Sequence, residues 1–119
     1  MLESFQSIRT VRPDAKLYYL GEGELREQLE EAIERAELNR DVFLLGHVAN
    51  PYPLMKQAEC ILSMSKAEGF QTVFVESLAL GVPFVSSSAG AASLLSCEGR
   101  FGQVIECASE AGEAYRNLA

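Results

Sequence analysis

The most constraining feature of this chain is a repeated switch of hydrophobic period. Short continuous apolar runs give way to helical spacing and return, with turn residues at each switch. The runs are "KLYYL", "VFLLG", "CILSM", "PFVSS" and "GQVIE". Their apolar residues are contiguous rather than alternating, as in strands buried on both faces. Helical segments separate them. Residues 2–11 form the first, stopped by Pro13, and residues 24–38 the next, with Leu25, Leu29, Ile33 and Ala36 on one face. "PYPLMKQAE" carries proline where a first turn tolerates it, and residues 71–80 are closed by Gly81 as a C-cap. A short helix near Ser93 to Ser96 and the terminal "ASEAGEAYRNLA" complete the series. This order predicts an α/β fold, a Rossmann-like parallel sheet with helices on both faces. The 119 residues suit a single domain with one core. A fold of this kind normally opens on a strand, whereas this chain opens on a helix, so a first strand is expected to be missing.

Charge narrows the partners. Seventeen acidic against ten basic residues give a net charge of -7, which argues against nucleic acid as a ligand. Cys60, Cys97 and Cys107 are odd in number and lack CxxC spacing, so neither a disulfide framework nor a zinc site is indicated, and a cytoplasmic setting is expected. The first residues carry dispersed charges, and no apolar run reaches the length of a membrane span, so no transmembrane segment is expected. Peripheral attachment to the inner face of a membrane is compatible with this pattern.

In doubly wound sheets, ligands sit at the carboxyl ends of the strands, which directs attention to "GEG", "GHVANP", "SKAEGF" and "SSSAGAA". Glycine near a strand exit lets backbone N–H groups approach an anion at a helix N-terminus, so a nucleotide diphosphate is a natural candidate. Glu68 lies in the third loop and Glu76 within the helix that follows. A carboxylate accepts two hydroxyl hydrogen bonds at once, so this pair is able to hold a ribose diol and a sugar hydroxyl. Taken as isolated residues, the two glutamates are better explained as solvated charges of a loop and a helix face.

Several ordered blocks alter that balance. "SKAEGFQTVFVESLALGVPFVSSSAG" resembles the donor-binding signature of retaining GT-B glycosyltransferases of family 4, also called group 1: a loop glutamate, Gly-Phe, a second glutamate and a Gly-x-Pro strand entry in order. "LYYLGEGELREQLEEAI" and "VFLLGHVANPYPLMKQAECILSMS" are similar to the family's preceding blocks, so the resemblance covers nearly the whole chain. It implies that Glu76 holds the ribose hydroxyls of the nucleotide and Glu68 a hydroxyl of the donor sugar. The backbone N–H groups of Gly69, Phe70 and Gln71 would hold the sugar and phosphates, with Thr72 near the diphosphate. Gly21 and Gly23 would shape the first loop, and His47 and Val48 would border the base; His47 reads equally as a loop residue without a ligand.

Two departures stand out. The Arg and Lys that the family supplies after its first strand have no counterpart, and Lys66, though nearby, does not match their position. Ser93 stands near where the family commonly has a glutamate, and reads more simply as a helix cap. Asp14 and Asp41 are the only aspartates, so there is no Asp-x-Asp motif and no metal or cofactor is expected beyond the nucleotide-sugar substrate.

The leading expectation is the donor-binding half of a glycosyltransferase that transfers a sugar with retention to an acceptor hydroxyl, in polysaccharide or glycoconjugate synthesis. The N-terminal acceptor domain would lie outside the chain, leaving this part alone inactive. The competing expectation is a noncatalytic Rossmann-like binding or scaffold module derived from such an enzyme. A missing first strand would expose a sheet edge, which predicts self-association.

Overall fold

A computed structural model describes residues 1–64, 72–87 and 92–118. The chain begins with α1 (Leu2–Val11), then runs β1 (Leu17–Tyr19), α2 (Arg26–Arg35), β2 (Val42–Leu44), α3 (Tyr52–Gln57) and β3 (Ile61–Ser63). It continues through α4 (Thr72–Ala79), β4 (Phe84–Ser87), α5 (Ala92–Ser96), β5 (Gly102–Ile105), a 3-10 turn (Ala108–Glu110) and α6 (Ala111–Arg116). Every strand and helix expected from hydrophobic period is present, with ends shifted by a few residues.

Each pairing between these strands is parallel, as contiguous apolar runs require. Among the described residues, β1 pairs with β2, while β3, β4 and β5 form a second sheet in that order. Ladder registers are Leu17 with Val42, Ile61 with Phe84, and Phe84 with Gly102. The close fit at the last pair needs glycine: a Cβ on Gly102 would stand 2.7 Å from the Phe84 ring.

Three cores position the helices. Phe74 of α4, Phe84 of β4 and Ala92 of α5 pack together, and the two rings stack with centroids 4.3 Å apart. On the opposite face of β4, Val85 packs with Ile8 of α1, Ile105 and the α6 residues Ala111 and Ala114. Phe5 of α1 instead joins Ile33, Leu38 and Val42, with Leu17 and Tyr19 of β1 packed against them. α1 therefore reaches both sheets. Its seat on α6 is tight: the Gly112 N–H donates to Ser7 Oγ at 2.9 Å, and that hydroxyl donates to the Ser109 carbonyl at 2.9 Å.

Two smaller expectations also change. α2 starts at Arg26, so Leu25 lies before its first turn and is 66% exposed rather than on the buried face. Tyr18 of β1, stacked on Phe43 of β2, is 46% exposed rather than buried.

Candidate functional site

The described site residues lie beyond the carboxyl ends of β1, β2 and β3. Gly21 follows β1 with φ of +124°, a conformation that suits glycine, and its N–H donates to the Gly46 carbonyl at 2.7 Å. This antiparallel bridge ties the loop after β1 to the loop after β2. Gly46 itself has φ of +70°, and a Cβ there would meet Glu22 Oε1 at 2.5 Å. Arg26 holds that glutamate at 2.7 Å and Glu30 at 3.0 Å. His47 and Val48 leave directly from this bridge, His47 exposed and Val48 half-buried. Gly23 has open space around its Cα and no left-handed backbone, so glycine is not sterically required there.

The second group of residues is on α4. Thr72 opens the helix and is exposed, and Glu76 follows one turn later, half-buried. A spacing of four places both on one face, away from the buried Phe74 and Ser77. Ser77 turns its hydroxyl back onto the Phe74 carbonyl at 3.0 Å, which allows a polar residue on the core side. Glu76 Oε1 accepts a hydrogen bond from the Tyr52 hydroxyl at 3.4 Å. Tyr52 is 45% exposed, and its backbone N–H donates to Asn50 Oδ1 at 3.3 Å. Sequence reasoning missed this tyrosine, although its place between Pro51 and Pro53, at the start of a helix after a strand-exit loop, is a signal.

An open groove of about 750 Å³ runs between β1 and β3, and Leu20, Pro51 and Glu76 line it where it nears the site. Burial of the Tyr19 ring beside it pushes the phenol up to about 12, and the Cys60 thiol is pushed up to about 11, by burial first and then by the Glu59 charge. The arrangement offers a carboxylate and a helix start on α4 and a glycine-bridged loop pair after β1 and β2. It suits a ligand with hydroxyl donors and an anionic group. Among the described residues, no cluster of three His, Cys, Asp or Glu side chains is placed to hold a metal ion. Glu68, Gly69, Phe70, Gln71 and Lys66 lie outside the described residues. Ser93 is exposed on α5.

Comparisons with known proteins agree with one another. The family model described as glycosyl transferases group 1 matches residues 1–118. An uncharacterized glycosyltransferase of Methanocaldococcus jannaschii is 36% identical over 87 residues, covering 73% of this chain and 21% of that protein. Poly(glycerol-phosphate) alpha-glucosyltransferase of Bacillus subtilis is 36% identical over 107 residues, covering 88% of this chain and 16% of that protein. The chain thus spans 21% and 16% of these two curated relatives. Among solved structures, the Anabaena protein HepE, in complex with UDP, superposes with a TM-score of 0.80 at 24% identity, covering 98% of this chain and 34% of that one. The arrangement of strands and helices is that of a GT-B neighbour.

Proposed function

Because this chain belongs to the group 1 glycosyl transferases, we propose that it forms the donor-binding half of an enzyme that moves a sugar from a nucleotide-diphosphate sugar to an acceptor hydroxyl. The observation that carries this reading is Glu76: a half-buried carboxylate on the same helix face as Thr72, beside the carboxyl ends of parallel strands. In this reading Glu76 receives the ribose hydroxyls. Tyr52, which already donates to one of its oxygens, holds the carboxylate in position and leaves its other oxygen for the ligand. Thr72 lies near the diphosphate, where the dipole of α4 favours negative charge. The bridge at Gly21 and Gly46 fixes the loop from which His47 and Val48 border the base.

Transfer proceeds with retention, and the protein's work at this half is to stabilise the diphosphate as it leaves. Glu68, Gly69, Phe70 and Gln71 complete the sugar side of the site. The acceptor-binding half is contributed by a separate domain, and the complete enzyme works in the cytoplasm in polysaccharide or glycoconjugate synthesis. Support comes from the family match, from a relative named as an alpha-glucosyltransferase, and from a fold neighbour solved with UDP.

The test is calorimetric titration of the chain with UDP, GDP and ADP, repeated on Glu76→Ala and Tyr52→Phe. One nucleotide should bind, with affinity lowered at least ~10-fold in Glu76→Ala, the scale of losing charge-assisted hydrogen bonds. Tyr52→Phe should weaken it less. A nucleotide that binds Glu76→Ala as well as the parent chain would refute the role given to this carboxylate.

A further inference from the structure

The loop after β1 has glycine at two of its first three positions, Gly21 and Gly23, so its own backbone does little to hold its shape. Its backbone link to the loop after β2 is the Gly21 N–H on the Gly46 carbonyl. Arg26, at the start of α2, spreads its guanidinium over both sides of that link. Nη1 meets Glu22 Oε1 at 2.7 Å, one residue beyond Gly21. Nη2 donates to the Leu44 carbonyl at 3.4 Å, two residues before Gly46. Nε is anchored on Glu30 Oε1 at 3.0 Å, one turn along the same helix. A planar fork of donors permits this three-way contact, and the point charge of a lysine would not reproduce it.

The Leu44 carbonyl is turned so that it can accept. The Leu45 N–H donates to the Tyr19 carbonyl on β1. Across a trans peptide the C=O opposes the N–H, so the Leu44 carbonyl points away from β1. Among the described residues, no strand pairs with β2 on that side. Glu22, for its part, rests where a side chain of residue 46 would stand: a Cβ on Gly46 would lie 2.5 Å from its Oε1 and 3.8 Å from Arg26 Nη1. Gly46 therefore has two reasons to be glycine, its φ of +70° and this seat.

We propose that Arg26 is a positioning residue for the base end of the nucleotide site, acting through Glu22 seated on Gly46. It works on the two loops and not on the ligand itself. By tying Glu22 and the Leu44 carbonyl to α2, it sets how far the loop after β2 stands from the loop after β1. His47 and Val48 follow Gly46 directly, so the same clamp sets where they meet the base. This role rests on the placing of the nucleotide proposed above. Arg26 and Glu22 are 36% and 56% exposed, and an ion pair so exposed contributes little to global stability. Its effect falls on the local geometry of the loops, and hence on discrimination among bases.

Three variants test it. Arg26→Met keeps the side-chain stem and removes the fork, and Arg26→Lys keeps the charge. Arg35→Met is the control, because Arg35 pairs with Glu31 in the same i,i+4 manner on the same helix. Hydrogen exchange at the Gly21 amide is read by NMR in the ligand-free chain, and UDP, GDP and ADP are titrated by calorimetry. Arg26→Met should speed Gly21 exchange about 5-fold. It should also weaken the preferred nucleotide about 5-fold and the other two less, so that discrimination among bases narrows. Arg26→Lys should recover part of both effects, and Arg35→Met should match the parent chain. Unchanged Gly21 exchange in Arg26→Met would overturn the clamp. An equal loss for all three nucleotides, or the same losses in Arg35→Met, would overturn its role at the base. A parent chain that binds none of the three would sink the nucleotide site and this role with it, whereas a parent that binds no better than Arg26→Met would sink this role alone.

Discussion

Gly112 offers a sharp test of how α1 is held. A Cβ added there would stand 2.4 Å from the backbone carbonyl oxygen of Ser7 and 3.1 Å from its Oγ. No rotamer change moves a backbone oxygen, so Gly112→Ala must push α6 away from α1. Overpacking against a fixed partner costs about 3 kcal/mol at the upper end of the usual range. Alanine returns about 1 kcal/mol through better helix propensity. The net loss is then about 2 kcal/mol, which for a domain of this size lowers Tm by about 8 °C at roughly 4 °C per kcal/mol. Thermal unfolding followed by far-UV circular dichroism measures it directly. Gly23→Ala is the internal comparison: nothing lies near its Cα and its backbone is not left-handed. It should leave Tm unchanged or raise it slightly. If Gly112→Ala melts no lower than the parent chain, the close approach of α1 and α6 is refuted.

Tyr19→Phe should be neutral or stabilising by up to about 1 kcal/mol, because the buried Tyr19 hydroxyl has no hydrogen-bond partner among the described residues; a clear loss in urea unfolding would mean that the hydroxyl is paired. Cys60 should alkylate more slowly at pH 8 than the exposed Cys97 and Cys107, since burial pushes its thiol up to about 11. Mass spectrometry of iodoacetamide-treated protein reads this, and equal rates would contradict the burial of Cys60. Asp41 is held below the usual carboxylate range, first by the hydrogen bond from Lys16, against the opposing pull of desolvation, and then by Arg9 at 3.0 Å. A depressed folded value means that the stabilisation is present at neutral pH and lost as pH falls through that value. Asp41→Asn should therefore unfold at lower urea than the parent at pH 7, with the gap closing below the ordinary aspartate range; a gap that persists in acid would assign the effect to something other than charge.

Hydrophobic period made the elements legible because contiguous runs such as "VFLLG" and "PFVSS" admit few alternatives to buried parallel strands. It could not reveal which strands are neighbours. Periodicity fixes how a residue faces, not what lies beside it, so the separation of β1 and β2 from β3, β4 and β5 emerged only from the pairing. Among the loop glycines, Gly21 has a backbone reason to be glycine, a φ of +124°, and Gly23 has none. Glu76 was singled out by motif order. Its partner Tyr52 was not, because a hydrogen bond between residues 24 apart leaves no local pattern.

The shared position of α1 has a consequence for cooperativity. Among the described residues, α1 is the element that places buried side chains in the cores of both sheets, Phe5 in one and Ile8 in the other. Among the described residues no ladder crosses between the sheets, so much of the coupling that makes the two halves melt together runs through this helix. Phe5→Ala would loosen one end of that coupling, and the single transition expected of a small domain would then divide, the β1–β2 half opening at lower temperature than the rest.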